Sequence, residues 1–434
     1  MGSNQQLKDA SAGWLLLALL VLSLVNGFSR SFPAEWAGLA GWGAGMLLAR
    51  RLNGALRVQV VAMLTVGIAG LVWGTTLGVG SRLGAAVSAN QILLAMLVGV
   101  GFLRLIALPV AERHESLPEG KRAMWRTLLG IHFFGAFINL SALMIVGERQ
   151  SARAPLTRLQ AVVLSRGFST AANWSPFFAA MGVALTSAPG SQLQTLSMVG
   201  LPVALVALAV TGFGLGRDPE VNAFRGYPMH FAALALPALL TVCVLVLHEI
   251  WSEVRILTWI SLLSPLIACV GLLYRDGARA LPVLSRHVRR GLPQMAGELL
   301  LFLAAGVLAA GIASTAEGLG LGALISDFGP LDATGLLAVM ILLAIAGVHP
   351  VISISVAGGI LMPVVADPNL LGLLFLMAWS LGLCASPLSG MHLAMQGRFG
   401  IPGANFVAWN IRYVALMWVV DGLVLHGYTW LTGN

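Results

Sequence analysis

Apolar runs of about 20 residues, the length that crosses the hydrocarbon core of a bilayer as a helix, recur along the whole chain. They fall near 13–28, 33–50, 57–80 and 87–111, then near 125–148, 157–187 and 192–215. A polar stretch, Gly216–Tyr227 (GRDPEVNAFRGY), interrupts the pattern close to the midpoint. Further runs follow near 229–249, 254–274, 295–316, 320–366, 370–397 and 404–427. The pattern predicts an all-α polytopic membrane protein.

Two runs are unlike plain spans. Gly130–Glu148 (GIHFFGAFINLSALMIVGE) and Gly347–Pro363 (GVHPVISISVAGGILMP) both open on Gly-x-His. The first continues to Ile-Asn-Leu-Ser-Ala where the second has Ile-Ser-Ile-Ser-Val. Gly and Pro weaken a helix, and His and Ser place polar groups in hydrocarbon. Taken singly, such a stretch reads as a kinked helix whose hydroxyls bond back to its own carbonyls. A second copy turns the reading toward a repeated device. Each copy precedes another irregular run, GFSTAANWSPFFAAMG (Gly167–Gly182) and GLCASPLSGMHLAMQG (Gly382–Gly397), and both contain Ser-Pro. A mid-span Pro removes a backbone donor and frees a carbonyl, so a broken helix is expected at each. Broken backbone survives at membrane depth only where protein or a watery cavity satisfies it.

Composition agrees with the pattern. Of 434 residues, 58% are hydrophobic and 10% charged, where a soluble domain carries about a quarter charged; the mean hydropathy is +0.88. The formal net charge of +8 is nearly all Arg in short loops, which orients spans in a bilayer and gives no reason to invoke nucleic acid. Cys243, Cys269 and Cys384 lie in apolar runs without metal-ligand spacing and read as small buried hydrophobes. Lys8 precedes the apolar run Trp14–Val25, but no small-x-small cleavage site follows near Asn26, Phe28, Arg30 or Phe32, so this run is expected to be a retained first span.

The basic loops set the orientation. Arg50, Arg51 and Arg57, and two spans later Arg113, Lys121, Arg122 and Arg126, belong on the cytoplasmic side of an inner membrane, with the N-terminus inside. Arg149, Arg153 and Arg158 follow the first motif segment, which therefore starts and ends at the cytoplasm as a re-entrant hairpin near 125–148. Arg275, Arg279, Arg286, Arg289 and Arg290 fall inside again, and the basic piece from Ala278 to Arg290 is expected along the inner surface. The second segment is flanked by Glu317, Asp327, Asp332 and Asp367, which places the ends of a hairpin near 320–366, and the C-terminus, outside. The expected organisation is one extra N-terminal helix (1–32) and two inverted repeats (33–217 and 218–434). Together these give about 11 transmembrane helices, with a re-entrant hairpin and a broken helix in each repeat. This is the layout of a secondary transporter.

Ser353-Ile354-Ser355, followed by Pro363, resembles the Ser-Asn-Thr hairpin tips of the divalent-anion sodium symporters in the ion transporter superfamily, and Asn139-Leu140-Ser141 is the matching triplet. Asn173-Trp174-Ser175-Pro176 and the later Gly200-Leu201-Pro202 look like that family's unwound helix and the opening of its next span, with Ser386-Pro387 in the corresponding place of the second half. The middle triplet residues are Leu140 and Ile354, and no Pro-Pro-Asn follows the broken helix, so the side-chain amide that would meet a dicarboxylate is missing there. The resemblance implies a substrate held between the two tips and the two broken helices by Asn139, Ser141, Asn173, Ser175, Pro176, Ser353, Ser355, Ser386, Pro387 and Ser389. It also implies alternating access by an elevator movement, a homodimer, and sodium beside Asn139, Ser141, Ser353 and Ser355.

The residues themselves add His132 and His349, whose imidazoles can carry a proton with the substrate or offer it positive charge. His392, just past the second Ser-Pro, is a weaker candidate of the same kind. Arg166 can attract an anion or snorkel, and Arg104 is expected to snorkel. The expectation is a secondary transporter of a small organic anion or oxyanion, driven by sodium or protons, with no cofactor and with membrane lipid around it. Efflux of a neutral metalloid hydroxide such as arsenite is the rival within the class. A membrane enzyme acting on a lipid-linked substrate is the rival outside it, but the clustered carboxylates or metal ligands such an enzyme needs are absent from the sequence. A channel is a third reading, which leaves two hairpins entering from opposite faces unexplained.

Overall fold

The computed structural model describes residues 3–29, 31–52, 54–106, 117–152, 154–228, 235–321 and 327–433. Arg30, Arg113, Arg153 and parts of three expected runs (107–111, 229–234 and 322–326) lie outside the described residues. The described chain is helical throughout, with one isolated β-bridge between Glu119 and Arg225. In order, the helices are α1 (Ser3–Phe28), α2 (Glu35–Leu48), α3 (Gly54–Thr76), α4 (Leu83–Ser88), α5 (Gln91–Leu103), α6 (Lys121–Ile138), α7 (Leu140–Ser151), α8 (Arg158–Ser169), α9 (Ala179–Ser187) and α10 (Leu193–Leu215). After the midpoint come α11 (Ala235–Ile250), α12 (Ile256–Asp276), α13 (Ala280–Arg286), α14 (Ala296–Gly318), α15 (Pro330–Ile345), α16 (Pro350–Leu361), α17 (Pro368–Ala385), α18 (Gly390–Phe399) and α19 (Gly403–Thr432). Seven stretches are long and apolar enough to cross a membrane, and shorter apolar helices accompany them. The protein is an all-α polytopic membrane protein.

The chain forms two compact units, each assembled from both halves of the sequence. The first draws on Met1–Leu108, Leu236–Ser326 and Ser355–Val364, the second on Pro109–Ala235, Asp327–Ile354 and Val365–Asn434.

In the first unit, α3 lies against α14 along a stripe of small residues. A Cβ on Gly67 would stand 2.7 Å from the Leu308 nitrogen, and one on Gly70 would stand 2.7 Å from the Gly311 carbonyl oxygen. With lipid as apolar as the side chains, close backbone approach and dispersion hold such a pair together. The basic piece after α12 folds as α13 and a short π-helix, where His287 and Val288 are buried while Arg286, Arg289 and Arg290 stay exposed. Arg104 meets the His287 ring at 3.2 Å.

In the second unit both irregular segments turn back on themselves. The first runs down α6, reverses at Asn139 and returns along α7. At one end Glu119 pairs with Arg225, and at the other Gln150 donates to the Arg225 carbonyl at 2.7 Å, so entry and exit share one point. The second runs down α15, turns at Gly347 (φ 96°) and returns. Its start is pinned where Trp418, midway along α19, donates to the Thr334 carbonyl at 3.1 Å, and its end where Tyr428, in the last turns of α19, donates to Asp367 at 2.7 Å.

Helix α10 relates the two mouths. At its N-terminal end the Gln192 amide donates to Asn369 at 2.7 Å, beside the mouth of the second hairpin. At its C-terminal end Gly212 packs on Trp125 and Gly216 on Lys121, both from the first turns of α6. Twenty-three residues separate those ends, about 34 Å of helix, so the hairpins enter from opposite ends of a membrane-length rod.

Candidate functional site

Each hairpin tip meets the break in the helix that follows it. At the first tip, Asn139 takes φ 51° and ψ −141°, outside the left-handed helical region that Asn tolerates and in backbone space essentially reserved for Gly, so it is held there under strain. Its Nδ2 donates to the Phe177 carbonyl at 3.3 Å. The chain at Phe177 is open because α8 runs through a 3₁₀ turn (Thr170–Asn173) into Trp174-Ser175-Pro176 before α9 starts. The Ser175 hydroxyl donates to the Ala136 carbonyl at 2.5 Å and accepts from the Phe177 amide at 3.2 Å, fastening hairpin to break.

The second tip repeats the scheme with different residues. Gly347 lies against Leu388, Pro350 against Gly382, and His349 stands edge-on to Trp379 at 5.4 Å. The His349 Nδ1 accepts from the Val351 amide at 3.2 Å, closing the start of α16. The break is Ser386–Ser389. Pro387 forces its predecessor extended, and Ser386 accordingly has ψ 127°. The Ser386 hydroxyl accepts from the Leu388 amide at 3.3 Å, the same turn that Ser175 makes, and Ser389 caps α18 by accepting from the His392 amide.

The two broken helices cross. Asn173 donates to Ser380 Oγ at 3.1 Å, and Ser380 donates to the Ser169 carbonyl at 3.1 Å. The side-chain oxygen of Asn173, Oδ1, is buried and has no hydrogen bond among the described residues. On the other side of the crossing, His392 Nε2 meets Ser165 Oγ at 2.9 Å, and its Nδ1 meets the Ser386 carbonyl at 2.7 Å. Because the carbonyl only accepts, Nδ1 carries the proton and Ser165 donates to Nε2. Between these two links Arg166 is 9% exposed and bolted to α19, with Nε to Asn410 Oδ1 and Nη2 to the Trp409 carbonyl, both at 2.9 Å, and its guanidinium 4.4 Å from the Tyr413 ring centre. Asn410 in turn donates to the Cys384 carbonyl at 2.9 Å.

The residues expected from sequence therefore divide. Asn139, Ser175 and Pro176 meet at the first tip; Ser386, Pro387 and Ser389 form the second break with His349 at its tip; Asn173 ties the breaks together. His132 lies elsewhere than expected, in mid-α6, with both ring nitrogens engaged: Nε2 accepts from Trp174 Nε1 at 3.0 Å, and Nδ1 meets Thr170 Oγ1 at 2.9 Å. His132 precedes its turn while His349 follows its own, so the two do not occupy matched positions. Nor do the triplets match. Asn139 is the turn itself, whereas Ser353 and Ser355 lie inside α16, where Ser353 bonds back to the Pro350 carbonyl at 3.0 Å. Ser355 is buried within the portion of α16 that groups with the first unit, and Ser141 is half-buried on α7. Arg166 does not snorkel. The sequence signal for it was an Arg and an Asn inside apolar runs, but nothing local names either as the other's partner. Asp421 is also buried in α19, with Oδ1 lacking a hydrogen bond among the described residues, while Arg412 is exposed on another face of that helix. No metal-ligating cluster of His, Cys, Asp or Glu occurs among the described residues.

Opposed hairpins and crossing broken helices thus define the second unit of this all-α polytopic membrane protein. Among solved structures the chain is similar to the YdaH transporter of Alcanivorax borkumensis, at a TM-score of 0.54 and 15% identity, covering 86% of this chain and 98% of that one. The likeness is one of fold. No family model matches the chain, and no curated protein does.

Proposed function

We propose that the protein is a secondary active transporter of a small organic anion or oxyanion, coupled to sodium or protons, with the solute held where the hairpin tips meet the crossing broken helices. Arg166 carries the anion reading. It is a full charge among buried groups, held by two neutral acceptors and an aromatic face, and no carboxylate pairs with it among the described residues. A buried unpaired charge is unfavourable, and an incoming anion supplies the missing partner. The N-terminal end of α9, which no side chain caps, adds to the attraction. The same charge speaks against a neutral metalloid hydroxide as the solute.

The division into two units, with both tips and both breaks in one of them, supports the elevator reading, in which that unit carries the solute past the other. The motif resemblance to the divalent-anion sodium symporters and the fold likeness to YdaH point to the same class. The test is uptake into proteoliposomes across a panel of small anions, with sodium and proton gradients imposed separately. Accumulation of one anion that depends on a gradient and falls at least tenfold in Arg166→Gln supports the proposal; equal uptake by empty liposomes and by protein overturns it.

A further inference from the structure

The second unit holds another buried ionisable group, which the transport reading does not use. Asp421 is 1% exposed, with eighteen residues of α19 before it and eleven after. It therefore lies about 16 Å from the nearer end of that helix, too deep for a short side chain to reach water. It faces the same side of α19 as Asn410, Tyr413 and Met417, all buried. Its Oδ1 makes no hydrogen bond among the described residues.

The charged and titratable groups around it are engaged elsewhere. The helices that pack along α19 are α8, α10, α15, α17 and α18. From α8, Arg158 pairs with Asp218, and Arg166 is held by Asn410 and the Trp409 carbonyl. Helix α10 has no ionisable residue. From α15, Asp332 accepts from the Gly329 amide at the start of the helix, and the Cys384 of α17 lies at the level of Asn410. From α18, His392 meets Ser165, and Arg398 pairs with Glu148. On α19 itself Arg412 and His426 are exposed on other faces, and Tyr428 donates to Asp367. No cation among the described residues is left to meet a carboxylate at Asp421. Unpaired and buried, a carboxylate is far less favourable than a carboxylic acid, so the group holds a proton.

Arg166 and Asp421 belong to one unit. Among the described buried residues, the first is the only Arg or Lys and the second the only Asp or Glu. Net charge inside a bilayer is unfavourable, which favours two forms of this unit. In one, a monovalent anion neutralises Arg166 while Asp421 keeps its proton. In the other, the site is empty and the deprotonated Asp421 offsets Arg166. The empty protonated form and the loaded deprotonated form each bury a net charge. We propose that Asp421 carries the coupling proton, and that one proton travels with each monovalent anion in the same direction. The inference rests on the reading of Arg166 as the anion's partner. A proton from water on the entry side forms the O–H bond of the acid, and that bond breaks when the proton passes to water on the far side; nothing is oxidised or reduced.

Two measurements test this. The infrared difference spectrum of the full chain in detergent at neutral pH, wild type minus Asp421→Asn, should show the carbonyl stretch of a protonated carboxylic acid, shifted in D2O; a carboxylate band in its place overturns the proposal. The second measurement uses proteoliposomes and isotope-labelled lactate, gluconate and nitrate. The wild type should accumulate at least one of them on an inward proton gradient, with one proton entering per anion as read by a pH dye in the lumen. Asp421→Asn, fixed in the neutral form, should lose that accumulation at least tenfold yet still exchange internal for external anion. Proton-driven accumulation at the wild-type level in Asp421→Asn, or anion entry without proton entry in the wild type, overturns the proposal and leaves the reading of Arg166 intact. Loss of exchange in an Asp421→Asn chain with the wild-type unfolding midpoint also overturns it. Neither entry nor exchange of any of the three anions in the wild type overturns the anion reading and the proposal with it. If Asp421→Asn does not fold, the ratio of protons to anions in the wild type decides.

Discussion

Ser165 and His392 stand 227 positions apart in the sequence, yet their side chains share a hydrogen bond of 2.9 Å at the crossing of the two broken helices. The His392 ring lies flat on Phe406, 3.9 Å between centres, which fixes its plane. The bond joins the two halves of the chain in the second unit. Ser165→Ala is expected to destabilise the protein by about 1 kcal/mol, and His392→Phe by more, because it takes the partner from the buried Ser165 hydroxyl and leaves the Ser386 carbonyl only the long bond from the Ser389 amide at 3.4 Å. A double-mutant cycle on unfolding midpoints should show coupling between the two positions; additive effects would separate them.

Arg166 is expected to respond differently to its two obvious substitutions. Arg166→Gln removes the charge and should abolish anion-dependent uptake. Arg166→Lys keeps the charge but cannot reach Asn410 and the Trp409 carbonyl in the fork geometry of a guanidinium. It should retain measurable transport while lowering the unfolding midpoint. Wild-type uptake in Arg166→Gln would remove the anion from the account.

At the first tip, backbone conformation and side-chain contact can be separated. Asn139→Gly relieves the positive φ and loses only the bond to the Phe177 carbonyl, so stability should change by less than about 1 kcal/mol. Asn139→Val places a branched side chain in a region it avoids and should cost about 1–3 kcal/mol. Unfolding of the two variants in the same detergent reads the difference.

The two hairpin histidines should not behave alike. With both nitrogens engaged by Trp174 and Thr170, His132→Ala is expected to lower the unfolding midpoint, at about 1–3 kcal/mol for the buried groups it leaves unpaired. His349, half-buried at the second tip, is expected to act on transport: His349→Ala should lose uptake with little change in midpoint. The reverse pattern would exchange their roles.

The sequence carries the hairpins and breaks because Gly, Pro, Asn and Ser are out of place in spans, and those residues sit where the backbone departs from helix. It misplaces the second turn. Matching the serines of the two segments puts the tip at Ser353–Ser355, whereas the reversal comes at Gly347, where positive φ is available without strain. Gly347 takes its positive φ freely while Asn139 takes its own under strain, and the serine match obscured both turns. The environment of Arg166 was not legible, since its partners lie 243 and 244 residues away and only the folded chain brings them together.

The central claim is that the hairpins open at opposite membrane faces. In a cysteine-free background, Glu119→Cys reports the mouth of the first and Gln192→Cys the end of α10 beside the mouth of the second; both positions are exposed. Labelling of sealed, oriented vesicles with a membrane-impermeant maleimide should modify one from the outside and the other only after the membrane is opened. Modification of both from the same side would contradict the account.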